Sequence, residues 1–271
     1  MKKLRPPVKT HGGKFYLSDW IIDNFPVGYE DLTYIEPFCA GASVFLNKKP
    51  SKVEVLNDLD RGVTSIFKSL RDESEEFLSK IKEIEYNEKT FRSAMKKAKE
   101  PMPDYVEKAV NEYTLRRMSR GGMRKSFAWS DRERNGKPGD VNSWETMIEQ
   151  LNIIIERVKE TFIFNSNALD VMKVWDEEDT LWYLDPPYLP NTRTEGAKKV
   201  YEYEMSVDDH LNLLQMAKNA RGKVIISGYN SPLYNRTLKG WRVEKKDIVN
   251  HSGQNDIKEH RVEVIWMNFD I

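Results

Sequence analysis

Leu181-Trp182-Tyr183-Leu184 is an unbroken apolar run, closed by Asp185-Pro186-Pro187-Tyr188, and no other segment limits the fold so tightly. The run reads as a buried strand, which puts the acid just past a strand's carboxyl end. Open α/β sheets bind their ligands there. The tetrad suits one chemical task, the holding of a planar exocyclic amine. The Asp185 carboxylate can accept one amine hydrogen and the Pro186 carbonyl the other. Neither Pro186 nor Pro187 has an N–H that could compete. Tyr188 offers an aromatic face on which a flat heterocycle can stack. The competing reading is a polar turn after a strand, because Asp-Pro and Pro-Pro are common loop punctuation.

An α/β rhythm surrounds this strand and is interrupted once. Thr33–Glu36 reads as a strand, followed by the small-residue turn Cys39-Ala40-Gly41-Ala42-Ser43 and a short helix opened by Val44, Phe45 and Leu46. Residues 53–56 form a second strand, ending at Asn57-Asp58. Val63, Ile66, Phe67 and Leu70 are spaced as one face of an amphipathic helix. From about residue 72 to about 160 the character changes. Helical patterns (Phe77, Leu78, Ile81, Ile84; Trp144, Met147, Ile148, Leu151, Ile155, Val158) flank a polar stretch, residues 119–142. That stretch is too poor in apolar residues for a core and too rich in aromatics and arginines for a plain linker. It reads as part of an inserted, mostly helical subdomain with a projecting loop or hairpin.

After residue 160 the rhythm returns, with strands at 161–164, 181–184 and 224–226. Ser206-Val207-Asp208-Asp209 is a capping box opening a helix that carries Leu211 and Leu214. Residues 241–249 and 261–269 read as two long strands pairing at a sheet edge. Asp176-Glu177-Glu178-Asp179 reads as a solvated loop. The expected fold is α/β, with 1–71 and 160–271 forming one domain and 72–159 inserted into it.

Composition narrows the function classes. The chain is 39% hydrophobic, with 11 Phe, 12 Tyr and 7 Trp, enough for a sizeable core, and its 32% charged residues imply a strongly ionic surface. No apolar stretch approaches the roughly 18 residues of a membrane span, and the basic N-terminus lacks the apolar core of a signal peptide. One cysteine excludes a disulfide framework and a cysteine-rich zinc site, and the four histidines show no metal-ligand spacing. The expectation is a cytoplasmic enzyme with no metal and no membrane contact. A formal net charge of zero argues against indiscriminate nucleic-acid binding, but the charge is uneven. Residues 113–137 carry eight Lys/Arg against two acids, while residues 71–89 carry seven acids against four bases.

Glu36-Pro37-Phe38-Cys39-Ala40-Gly41-Ala42-Ser43 is a strand–turn–helix element whose small residues let a ligand approach the backbone and whose helix start offers free N–H groups. Asp58 follows Glu36 by 22 residues, at the end of the next strand, where α/β nucleotide-binding folds place the acid that grips ribose hydroxyls. An ordinary tight turn at Gly41 and a helix cap at Asp58 are the plainer alternatives. Lys9-Thr10-His11-Gly12-Gly13-Lys14 lacks Walker A spacing and reads as a flexible terminus, a phosphate loop or a flap over a cofactor.

Taken in order, His11-Gly12-Gly13-Lys14, Glu36 to Leu46, Asn57-Asp58 and Asp185-Pro186-Pro187-Tyr188 closely resemble the Dam-like family of DNA adenine methyltransferases. Val224-Ile225-Ile226-Ser227-Gly228-Tyr229 and Arg261-Val262-Glu263-Val264-Ile265-Trp266 are similar to that family's late strands. The resemblance implies a Rossmann-like S-adenosylmethionine-dependent methyltransferase sheet. It implies that Lys14, Glu36, Pro37, Phe38, Ala40 and Gly41 hold the cofactor's methionine part, Asp58 its ribose, and Asn165 and Ser166 its adenine, with Asp185 close by. Thr10 stands near the cofactor where family members often carry an aromatic residue.

The segment containing Arg116, Arg117, Ser119, Arg120, Met123, Arg124 and Lys125 resembles the family's target-recognition loop, with double-stranded DNA as the implied partner. Arginine suits phosphate clamping and bidentate reading of guanine, Met123 could wedge where a base has left the stack, and Phe127 and Trp129 add stacking surfaces. The plainer alternative is a solvated basic loop. The implied catalytic residues are Asp185, Pro186, Pro187 and Tyr188, acting on the N6 of a flipped adenine. A cognate restriction endonuclease is a candidate partner, and a monomer or weak dimer is expected. Methylation of the cytosine amine, of RNA or of a protein amide, and a catalytically silent DNA-binding module, are the competing readings. The intact tetrad and Asp58 weigh against the last. Pro-Cys of a cytosine C5 enzyme is absent, since Phe38 precedes Cys39.

Overall fold

The computed structural model describes residues 3–189, 192, 203–249 and 260–270. In chain order the helices are α1 (Ser18–Ile22), α2 (Ser43–Asn47), α3 (Arg61–Asp72), α4 (Ser74–Lys82), α5 (Glu88–Lys97), α6 (Tyr105–Met118), α7 (Gly139–Val158), α8 (Ala168–Trp175), α9 (Val207–Asn219) and α10 (Pro232–Thr237). The strands are β1 (Thr33–Glu36), β2 (Val53–Asn57), β3 (Glu133–Arg134), β4 (Lys137–Pro138), β5 (Phe162–Phe164), β6 (Thr180–Leu184), β7 (Lys223–Tyr229), β8 (Arg242–Val249) and β9 (His260–Met267). The chain divides into two compact units. One comprises Met1–Trp20, Cys39–Lys48 and Asp58–Asn165, the other Ile21–Phe38, Lys49–Asn57 and Ser166–Ile271. The first is therefore wider than the insertion expected at 72–159.

The second unit is built on a twisted, mostly parallel sheet with strand order β2-β1-β6-β7-β9-β8. β1 is parallel to β2 and to β6, and β6 is parallel to β7. β9 then runs antiparallel to β7, and β8 antiparallel to β9, making the expected edge pair. Every residue of β6 is buried, which is why its sequence shows no polar alternation. Trp182 and Trp266 anchor the core with almost no exposure. The capping box at Ser206 and Asp209 forms as expected at the start of α9. Asp176 does more than the solvated-loop reading allowed: its carboxylate accepts the backbone N–H groups of Arg221 and Gly222 at 3.0 and 3.3 Å. Together with the helices on this frame, the chain is a Rossmann-like α/β protein.

The first unit is mostly helical. The α7 residues Trp144, Met147, Leu151, Ile154 and Val158 are buried at helical spacing. Trp144 meets Tyr113 of α6 and Tyr86 edge-on, and Phe77 of α4 meets Tyr113 at 5.7 Å. β3 and β4 form a hairpin closed by Asn135 and Gly136, both at positive φ, as a two-residue turn with the twist of its strands requires. No described helix is long and apolar enough to cross a membrane.

The basic loop after α6 is held against the N-terminal segment within this unit. Gly122 has φ +72°, and a Cβ there would lie 2.1 Å from the Lys9 carbonyl oxygen. Gly122→Ala should therefore destabilise the protein by about 1–3 kcal/mol. Chemical denaturation would measure this, and an unchanged midpoint would contradict so close an approach.

Candidate active site

In the second unit, the sheet register brings the chemistry-bearing residues to one end. β1 and β6 pair with Ile35 opposite Trp182, so Glu36 and Asp185 leave the sheet at adjacent carboxyl ends. This is a point of strand-order reversal, where such sheets open a crevice. β6 and β7 pair with Leu184 opposite Ile226, which sets Ser227 abreast of Asp185. The fully buried Ser227 hydroxyl donates to Asp185 Oδ1 at 2.8 Å, with the Tyr183 hydroxyl 3.2 Å from the same serine oxygen. The carboxylate is thus oriented by a neighbour that cannot itself relax into solvent.

Tyr188 is oriented from its far end. Its hydroxyl donates to the buried Glu263 carboxylate on β9, and its ring meets Tyr229 edge-on at 4.7 Å. Pro186 and Tyr188 are buried, while Asp185 and Pro187 are half-buried. Burial, with the Asp185 and Glu263 charges adding, holds the Tyr188 phenol well above its ordinary range. Burial and Asp185 do the same to Tyr183. Both phenols stay protonated, so they serve as hydrogen-bond donors, not as bases. Glu36 is buried and accepts from the Tyr34 hydroxyl at 2.6 Å. Asn57 ties the turn after β1 to Ser166: its amide donates to the Pro37 and Ser166 carbonyls and its oxygen accepts Ser166 N–H. Phe38 is half-buried and Ser166 exposed. Ser227 and Glu263 escaped the sequence reading because a serine or glutamate inside a strand pattern carries no local signal of its partner.

The first unit holds a second cluster. Ala40 and Ala42, not Gly41, take the left-handed backbone of the small-residue turn, with φ 44° and 53°. This directs the Ala40 N–H to Asp58 Oδ2 at 2.8 Å, while Asp60 N–H reaches Asp58 Oδ1 at 2.9 Å. Each oxygen keeps a second lone pair, the acceptor set a vicinal diol needs. Desolvation raises Asp58 to about 6; the two backbone donors and the Arg116 charge oppose this, and Asp60 adds to it. Asn165 braces the same segment, donating to the Asp58 and Leu59 carbonyls at 2.8 and 3.0 Å. Lys14 is buried and donates to the Gly12 carbonyl at 2.8 Å, and Thr10 is half-buried.

The expected recognition loop divides by burial. Arg120 and Lys125 are exposed, and Met123 and Arg124 are half-buried. Arg116, Arg117 and Ser119 are turned inward. Arg116 is engaged by Asp60 and Glu112, and Ser119 accepts the Arg124 N–H at 2.9 Å. Arg117 donates to Ser143 and lines a cleft of about 420 Å³ shared with Arg5, Lys9, Thr10, Tyr16 and Arg134. No carboxylate lines it among the described residues. Burial, helped by the Arg117 charge, lowers Lys9 to about 8. Lys9 and Arg134 lie in basic stretches of the sequence, but their meeting across one cleft, more than a hundred residues apart in the chain, has no local signal. Among the described residues, no three His, Cys, Asp or Glu side chains gather as a metal site.

Comparison with known proteins gives these clusters a family. A model described as D12 class N6 adenine-specific DNA methyltransferase matches residues 11–255. The chain is 24% identical to Type II methyltransferase M1.LlaDCHI of Lactococcus lactis subsp. cremoris, covering 98% of this chain and 96% of the relative. It is 25% identical to DNA adenine methylase of Salmonella typhi, with 92% and 88% covered. It is 23% identical to Type II methyltransferase M.MjaIII of Methanocaldococcus jannaschii, with 98% and 100% covered.

Asp58 yields a pH prediction. Its folded pKa, about 6, lies above the ordinary 3.8. Folding therefore favours the protonated acid, and its stabilisation is full below about pH 3.8 and lost as the pH rises through about 6. Asp58→Asn should flatten that fall in stability, read by thermal melts across this window. A variant whose profile parallels the parent's would remove Asp58 as its source.

Proposed function

The chain belongs to the D12 class N6 adenine-specific DNA methyltransferase family, and on that premise we propose that it transfers a methyl group from S-adenosylmethionine to the exocyclic N6 of adenine within a specific site in double-stranded DNA, after the base has flipped out. The observation that carries this reading is the Asp185 carboxylate, set at the carboxyl end of β6 and oriented by Ser227 at 2.8 Å.

The target nitrogen is a poor nucleophile because its lone pair is delocalised into the purine ring. Asp185 accepts one amine hydrogen and the Pro186 carbonyl the other, favouring the pyramidal geometry that frees the lone pair. These bonds strengthen as positive charge develops on the nitrogen, so they stabilise the transition state more than the ground state. Asp185 then takes the proton that leaves the methylated amine. Tyr188, held by Glu263 and kept neutral by burial, gives the extruded purine its stacking surface.

When bound, S-adenosylmethionine supplies a methyl group made electrophilic by its sulfonium. Asp58 has the acceptors for its ribose hydroxyls. The buried Lys14 and the turn of Glu36, Pro37, Phe38, Ala40 and Gly41 would receive the methionine part, and Asn165 and Ser166 would flank the adenine. The acid-free cleft of Arg5, Lys9, Arg117 and Arg134 supports contact with DNA phosphates, joined by the exposed Arg120 and Lys125.

Asp185→Ala should reduce turnover on duplex DNA by about a hundred- to a thousandfold, the loss expected when a principal electrostatic partner of the transition state is removed. The dissociation constant for S-adenosylmethionine, measured by calorimetry, should change little. A variant that lost cofactor binding while turning over normally at saturation would contradict the assigned role.

A further inference from the structure

Glu112 sits at the middle of α6 with 2% of its side chain exposed. Its carboxylate accepts from Lys108 at 3.2 Å, from Arg116 Nε at 3.3 Å and from Arg124 Nη1 at 3.1 Å. Lys108 and Arg116 belong to its own helix, but Arg124 belongs to the basic loop that follows. Arg116 is shared: its other end pairs with Asp60. Asp60 caps α3 through the N–H groups of Gly62 and Val63, and its own N–H is one of the two donors to Asp58. Asp58, Asp60, Arg116, Glu112 and Arg124 thus form one continuous chain of charge-assisted bonds within the first unit.

The path is tight at its centre and more open at its ends. Side-chain exposure rises from 2% at Glu112 to 16% at Asp60 and 27% at Arg124. Gly62 leaves no room for the Glu112 carboxyl to withdraw, since a Cβ there would lie 2.6 Å from Glu112 Cδ. At the loop end, Arg124 takes φ +57°, a conformation costly for a side-chain-bearing residue and held by its bonds to Glu112 and Ser119. A carboxylate serving stability alone could be satisfied by its own helix. This one is also committed to a strained residue in the loop.

Resting on the cofactor role assigned above to Asp58, we propose that Glu112 is a positioning residue that couples occupancy at Asp58 to the arrangement of the basic loop, so that cofactor and DNA each favour the other's binding. A ligand engaging Asp58 fixes the Asp58–Asp60 segment and with it Arg116. Arg116 then restricts the Glu112 carboxylate to the orientation that holds Arg124. The order imposed at one end need not be imposed again by the partner at the other, which makes the two binding events cooperative. Linkage requires the effect to be equal in both directions.

The test compares dissociation constants, by calorimetry, for S-adenosylhomocysteine with and without a short duplex taken from a sequence that the wild-type protein methylates. Duplex should tighten S-adenosylhomocysteine binding to the wild type by a factor within the usual range of about 5–150. In Glu112→Gln and in Arg124→Gln the factor should fall to about one, and Glu112→Asp should restore part of it. A wild-type factor of one, or variants that keep the full factor, would overturn the proposal. Should Glu112→Gln fail to fold, Arg124→Gln at the half-buried loop end decides the matter. Asp58→Asn examines the underlying assignment separately: undiminished S-adenosylhomocysteine affinity there would dismiss the cofactor role of Asp58, whatever the other variants do.

Discussion

The hydrogen bond from Ser227 to Asp185 is the interaction on which the second unit's chemistry turns. A carboxylate at a strand end would ordinarily rotate and hydrate. Here it is held by a hydroxyl with no exposure, on a strand whose register with β6 is set by core packing. A one-residue slip between β6 and β7 would turn Ser227 to the other face of the sheet and release the acid. The apolar run that buries β6 therefore does more than stabilise the sheet, because it fixes where the Asp185 carboxylate stands. Glu263 plays the same part for Tyr188 from the antiparallel strand β9.

The first unit solves a different problem, the burial of charge. Asp58 bears a real desolvation cost, visible in its pKa of about 6, and two backbone donors and a nearby arginine moderate it. Removing one partner from such a network leaves its counterpart charged and unpaired, which costs far more than the network contributes when whole. That asymmetry makes Arg116 and Glu112 hard to replace singly. It also gives a basic segment two kinds of arginine, interior ones that shape the loop and exterior ones that can meet a polyanion.

Much of this was legible beforehand, and the exceptions have a common cause. β1 is legible to the residue, β6 to within one residue, and the start of α9 at its cap, because an apolar run and a capping box are local signals. The tetrad was equally plain. α6 was not recognised as the central helix of its unit. It is buried nearly all round yet carries Asn111, Glu112, Thr114, Arg116 and Arg117 among its buried positions, so it shows no amphipathic stripe. Reading those arginines as surface contacts followed from their composition, whereas their partners Asp60 and Glu112 come together only in the folded chain. Ser227 and Glu263 were hidden for the same reason: their importance lies in a register with residues some forty and seventy-five positions away.

The most direct measurement is nucleoside mass spectrometry of duplex DNA incubated with the protein and S-adenosylmethionine carrying an isotopically labelled methyl group. The account predicts the label in N6-methyladenine and in no other base, confined to one short sequence context. Label in N4-methylcytosine, label in RNA or protein but not in duplex DNA, or no transfer at all by folded protein would contradict it.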